Sequence, residues 1–416
     1  MESTSRELFA IPEEVPLPRD PNAADTPDDY QGLAFIPVAV RDGIRNGSRE
    51  RLLSVAAQYP DRLHLATNHL ASQILVEGGR AVGVRTLTGS GLYDAAPLPA
   101  TPAGPAREFR ARREVIVAGG AFNTPQLLML SGIGDAGELS ARGIDVIADL
   151  PGVGRNLHDR YEVSVTFELD RDYPIFSGAT LDLPGADETP DVLAAQWLDD
   201  KDGPWTTNGT LAAVVARSSV ATDASDLIVF ALPIDFHGYY PGYSTDAAEH
   251  HNRLSILVLK GHTKNRAGRV TLRSANPTDP PEISFRYFEE GDAGWHEDLA
   301  GVVDGIAIAR AIVERLELAG VTREILPGSS LADRESLASF VRDQAWSHHA
   351  CGTARVGSRS DRGAVVDGHL RVHGVDALRI VDASVFPDIP GFFIASSVYL
   401  LSERASDLII EDAQRT

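Results

Sequence analysis

The chain has 416 residues, too many for one typical hydrophobic core, and two packed domains are expected. Its 43% hydrophobic and 23% charged residues describe an ordinary soluble globular protein, without the apolar run of about 18 residues that a membrane span needs. A formal charge of -21 excludes nucleic acid and anionic lipid as partners over most of the surface. Only three lysines occur, Lys201, Lys260 and Lys264, and the arginine excess reads as a composition habit. The single cysteine, Cys351, excludes an internal disulfide and any cysteine-based metal site. It fits a reducing compartment, and a cytoplasmic location is expected.

Residues 1–30 are acidic and proline-rich, which reads as an irregular leader and not as a secretory signal. From Leu63 the text alternates, LHLATNHLASQILVEGGRAVGVRTL, and a Gly78-Gly79 turn predicts paired strands. Glu114 to Ala118 (EVIVA) is a short continuous apolar run, as in a strand buried on both faces. It stops at Gly119-Gly120, and a helical pattern is expected from Gln126. Asn123 or Thr124 would cap that helix and Pro125 would occupy its first turn, leaving amides exposed to negative charge.

Gly132-Ile133-Gly134-Asp135-Ala136-Gly137 satisfies the G-x-G-x-x-G expression in the wrong context. It follows a helical run instead of a strand, so it is read as a helix C-terminal turn with left-handed glycines. Between Tyr161 and Phe288 five strand candidates follow without intervening helices: YEVSVTFEL, TLAAVVARS, DLIVFALPI, RLSILVLKG and RVTLRS. Such a series implies an antiparallel sheet and a second domain of different architecture. Helices are expected over 298–316, around 337–344 and over about 398–412.

The segment Trp346 to Gly357, WSHHACGTARVG, carries the most pointed chemistry. A histidine on a connecting loop is a general-base candidate because its imidazole titrates near neutrality. His348 and His349 are neighbours whose side chains would point apart in an extended segment, and no H-E-x-x-H spacing occurs, so no metal site is expected.

Four ordered blocks resemble the glucose-methanol-choline (GMC) family of flavin oxidoreductases, from about Gly32 to the C-terminus. The run Gly120 to Gly134 (GAFNTPQLLMLSGIG) resembles the family's second signature, and Leu150 to Asp159 (LPGVGRNLHD) the loop after it. Gly268 to Ser274 (GRVTLRS) with Pro280-Pro281 resembles a substrate-domain strand pair. HxxGTxxxG at His349 to Gly357, followed by LRIVDASVFP, resembles the C-terminal block.

The resemblance implies an α/β fold. Residues 31–160 and 346–416 would form an incomplete, Rossmann-like FAD-binding domain, and 161–345 a substrate domain on an antiparallel sheet with flanking helices. It implies FAD as cofactor, an alcohol or sugar-like substrate, and His349 as the base that takes the hydroxyl proton. Ala71, Gly119, Gly120, Asn123, Thr124, Pro125, Asp382, Ala383 and Ser397 would line the cofactor. The family's strand, G-x-G-x-x-G turn and helix that grip the pyrophosphate do not occur. Either a partner subunit supplies that lobe, or the chain is a truncated, non-catalytic remnant or assembly subunit. The family's second catalytic position falls on Ala395, which cannot share a proton, leaving His348, Ser396 or Ser397 as candidates for that role.

Overall fold

The structure, a computed structural model, describes residues 20–21, 23–97, 99–181, 184–185, 187–210, 212–288, 294–315 and 320–415. In chain order, its first half contains β1 (Gly32–Ala34), α1 (Ser48–Gln58), β2 (His69–Glu77), β3 (Arg80–Thr88), β4 (Arg107–Arg110), β5 (Val115–Val117), α2 (Gly120–Leu130) and β6 (Tyr161–Leu169). There follow β7 (Ala212–Ala216), β8 (Leu227–Leu232), β9 (Arg253–Lys260), β10 (Arg269–Thr271) and β11 (Glu282–Ser284). The chain then runs through α3 (Gly294–Arg315), β12 (Val321–Leu326), α4 (Arg334–Gln344), β13 (Leu378–Ile380) and α5 (Ala395–Arg415). Most of the expected leader, residues 1–19, lies outside the described residues, as does Leu316 at the expected end of α3.

Contacts divide the chain into two compact units. The first comprises residues up to Leu65, Tyr161–Gly261 and Glu297–Trp346; the second comprises Ala66–Arg160, His262–His296 and the chain from Ser347 onward. Residues 31–65, expected with the cofactor side, group with the first unit because β1 pairs antiparallel with β7, Gly32 opposite Val215. Residues 262–296 group with the second, because β10 and β11 form their own hairpin there and Val270 donates its N–H to the Gly154 carbonyl. RVTLRS is therefore a separate ribbon and not a strand of the large sheet.

The first unit is built on a six-stranded sheet in the order β1-β7-β8-β9-β6-β12, antiparallel throughout. All eight residues of β9 are buried, as are the first seven of β6, which pairs with a strand on each side. The apolar positions of α3 at Leu299, Val302, Val303, Ile306 and Ala309 are buried, each large side chain contributing about 1.5–3 kcal/mol by leaving water. At Gly305 a Cβ would collide with Val258 on β9, so the helix approaches the sheet only because that residue has no side chain. Beneath the same helix the buried ammonium of Lys260 lies 3.2 Å from Asp226 and 4.0 Å from Asp298. Removing one partner would strand the rest of that trio in a dry interior.

The second unit joins a three-stranded antiparallel sheet (β2-β3-β4) to a short parallel pair, β5 with β13. Gly78 and Gly79 both adopt positive φ, 56° and 81°, making the two-residue turn that the right-handed strand twist favours. The core gathers Leu128, Ile133, Val365, Val366 and Ile380 between α2 and the C-terminal block.

Helix α2 starts at Gly120, six residues before the expected point, with Gly119 as its N-cap, so Pro125 lies inside it. Proline has no N–H for the carbonyl four residues back, which is that of Ala121. Here the Thr353 hydroxyl donates to the Ala121 oxygen at 2.7 Å and fills the gap. Of the three glycines in the G-x-G-x-x-G decoy only Gly132 is left-handed, at φ 78°, while Ile133–Gly134 pairs in parallel with Ala148–Asp149. Among the described residues no helix is long and apolar enough to cross a membrane.

Candidate active site

The segment that carries His349 has no ladder of its own; it is stitched to three other stretches of the second unit. Asp159 Oδ1 accepts the backbone N–H of His349 at 2.8 Å and that of Arg160 at 2.8 Å. His158 and Cys351 exchange backbone hydrogen bonds, both at 3.0 Å. Gly352 then donates to the Ala383 carbonyl at 3.1 Å, Ala354 to that of Ser384 at 2.7 Å, and Thr353 reaches Ala121 in α2. Gly352 is at φ 90° and a Cβ there would strike the Asn156 carbonyl, so both its backbone angle and the close crossing demand glycine. His349 is thereby tied, within five residues of chain, to the start of α2 and to the Asp382–Ser384 turn.

The imidazole of His349 is 7% exposed. Burial, and secondarily the positive charge of Arg160, push its pKa down to about 4 against the opposing pull of Asp159. The ring is therefore neutral at physiological pH, a proton acceptor in essentially every molecule. The low value weakens it as a base relative to one poised near 7, in exchange for complete availability. Phe393 lies against it with ring centroids 5.7 Å apart, and the ring of exposed His348 is 4.3 Å away at 34°. The two neighbouring histidines do not point apart as expected, because the chain bends here instead of running extended. Burial pushes the Cys351 thiol up to about 12, which leaves it inert as a nucleophile.

The other sequence-derived candidates fall as follows. The Asp382 carboxylate is consumed within the protein: Oδ2 accepts the Gly120 N–H at 3.0 Å and the Thr124 hydroxyl at 2.6 Å, and Oδ1 accepts the Ser384 N–H at 2.7 Å. Gly119 donates its N–H to Thr124 Oγ1 at 2.9 Å. Asn123 is exposed and bonds Tyr93 and Gln126, while Thr124, Pro125 and Ala383 are buried. Ala71 lies exposed in β2 opposite Thr86. Ser396 is exposed and Ser397 half-buried in the first turn of α5, which begins at Ala395. Val398 and Ile394, at that same helix start, pack with Cys351, Ala383 and Ile389.

Sequence reasoning did not single out Asp159, Arg160 or Thr353 as parts of this corner. Signals were available: Asp159 closes the LPGVGRNLHD block, Thr353 lies within HxxGTxxxG, and the charged pair Asp159-Arg160 stands immediately before a strand whose first seven residues are all buried.

Two models of the GMC oxidoreductase family match the chain, over residues 5–162 and 264–402, and with an α/β fold built on a large antiparallel sheet with flanking helices, the chain belongs to that family. FAD is the family's cofactor. Among curated relatives, the oxygen-dependent choline dehydrogenase of Brucella anthropi is 34% identical over 385 residues, covering 92% of this chain and 64% of its own length. That of Stenotrophomonas maltophilia (strain R551-3) is 32% identical over 410 residues, covering 97% and 68%. The chain thus spans about two thirds of the length of the relatives it matches. A formate oxidase variant from Aspergillus oryzae shares the fold with a TM-score of 0.77 at 24% identity, over 95% of this chain and 67% of that one.

The residues present fit a flavin at one end. The opening amides of α5, on Ala395, Ser396 and Ser397, have no acceptor within the helix, and they meet a partial negative charge favourably. At Gly119 and Gly120 the amides are already bound to Thr124 and Asp382, so that turn offers close backbone approach and not free donors.

Proposed function

We propose that the chain forms the substrate side of an FAD-dependent oxidoreductase acting on the CH–OH group of a small alcohol or sugar-like molecule, with His349 taking the hydroxyl proton. Bound FAD would accept the hydride released as the carbinol becomes a carbonyl. The chain's own contribution is to hold a neutral imidazole against the alcohol oxygen, on a segment fixed by hydrogen bonds at both ends. The amides of Ser396 and Ser397 at the α5 start, together with the Gly119 to Pro125 turn and Asp382-Ala383, would line the flavin. His348 and Ser396 are the groups available to assist the base, since Ala395 carries no proton.

The observation that carries this reading is the stitched His349 segment, joined through Gly352, Thr353 and Ala354 to both proposed cofactor-lining turns. Choline is the alcohol to try first, because it is named in the relatives' activity. The test is to purify the protein, then follow flavin absorbance and its bleaching by alcohols without oxygen. Flavin retained by the protein and bleached by an alcohol is expected; absence of both would end the idea. A second reading, a non-catalytic remnant or assembly subunit, is favoured by Ala395 and by the occupied amides of Gly119 and Gly120. It predicts a folded chain that never retains flavin.

A further inference from the structure

Two buried, charged residues converge on His349 from one dipeptide. Asp159 is 3% exposed, and one of its oxygens takes the amides of both His349 and Arg160. Its backbone carbonyl receives the Thr263 hydroxyl at 2.8 Å. The carboxylate therefore pins the turn immediately before the imidazole. Arg160 is 0% exposed, and its guanidinium donates to the Pro390 carbonyl. Pro390 lies three residues before Phe393, whose ring closes over His349. A guanidinium cannot shed its proton, so this is a permanent cation in a site closed to water, and such a charge is strongly felt by its neighbours.

We propose that Asp159 and Arg160 are positioning residues for His349, a role that rests on His349 being the base. The carboxylate holds the turn that carries the imidazole; the guanidinium holds the loop that covers it and sets a positive charge against its protonation. Both charges act on the ring, and the imidazole of His348 lies alongside it. Opposed charges on adjacent residues let the protein fix the ring in place without turning it into a cation.

The experiment is nuclear magnetic resonance of the full chain carrying 13C-labelled histidine, the His349 signal being identified by its loss in His349→Gln. It reads ring environment and titration directly, whether or not the chain oxidises anything, so failure here is separate from failure of the proposed activity. Asp159→Asn keeps an acceptor oxygen and loses the charge: the His349 signal is expected near its parental position at neutral pH. Asp159→Ala removes the acceptor and is expected to displace or broaden the signal. Arg160→Gln is expected to raise the midpoint by about one pH unit or more, whereas Arg160→Lys holds it near the parental value. Should Asp159→Ala or Arg160→Gln fail to fold, the two conservative variants still decide. An Asp159→Asn signal displaced from its parental position at neutral pH would overturn the proposal, as would Arg160→Gln titrating like the parent, or an Asp159→Ala signal that has not moved.

Discussion

In the six-stranded sheet every residue of β9 is buried between two ladders, and α3 covers the apolar side chains with Gly305 pressed against Val258. The His349 corner has no comparable ladder: Asp159, Thr353 and Asp382 each tie in a segment far away in sequence through one side chain. The first arrangement spreads its stability over many equivalent contacts. The second concentrates it on single acceptors, so removing one atom orphans several buried donors at once.

That contrast can be broken at its sharpest point with Asp382→Ala. The change leaves the Gly120 amide, the Thr124 hydroxyl and the Ser384 amide without their acceptor, and a loss of about 3 kcal/mol or more is expected in urea unfolding. In the sheet unit Ile306→Ala, at a fully buried position of α3, should cost about 2–5 kcal/mol through a cavity, a different cause with a similar size. Asp382→Asn separates the two causes: it should recover part of the first loss, because one oxygen survives, whereas no polar substitution rescues Ile306.

A pH-dependent effect comes next. The folded His349 has its pKa near 4 against 6.5 unfolded, so between those values the unfolded chain binds the extra proton. The stability that this neutral imidazole contributes is complete above about pH 6.5 and is lost as pH falls through 4, about 3 kcal/mol in all. Burial raises the Asp159 pKa above its usual 3.8, which works in the opposite direction over part of the same range, so the cleanest reading is the difference between the parent and His349→Gln. The difference should shrink steadily from pH 7 to pH 4; a constant difference would show that the ring titrates as usual.

Thr353→Val keeps the side-chain shape and removes the hydroxyl that bonds Ala121, for an expected loss of about 1–3 kcal/mol. A loss below measurement would mean that the carbonyl freed by Pro125 finds another partner. The smallest effect belongs to the surface: Arg110→Ala, whose pairs with Glu77 and Glu108 are solvent-exposed, should leave the urea unfolding midpoint unchanged within measurement.

The six-stranded sheet was largely legible in the sequence because alternation and long apolar runs mark β6, β7, β8 and β9 directly. Its edges were not. β1 is three residues long, too short for any periodicity, and β12 (VTREIL) carries adjacent polar residues on a strand with one flank open. In the corner, His349 and the turns at Gly119 and Asp382 were readable from motifs. Their connections were not, since a hydrogen bond from Thr353 to Ala121 joins residues 232 apart and leaves no local pattern. Pro125 illustrates the cost: local rules put it in a first helical turn, and a distant hydroxyl lets it sit inside the helix.

The most direct test concerns His349 itself, in the protein loaded with FAD. In His349→Ala the rate of anaerobic flavin bleaching by an alcohol should fall on the order of a hundredfold or more, with the flavin content unchanged. Bleaching at the parental rate in that variant would contradict the account and move the base to another residue.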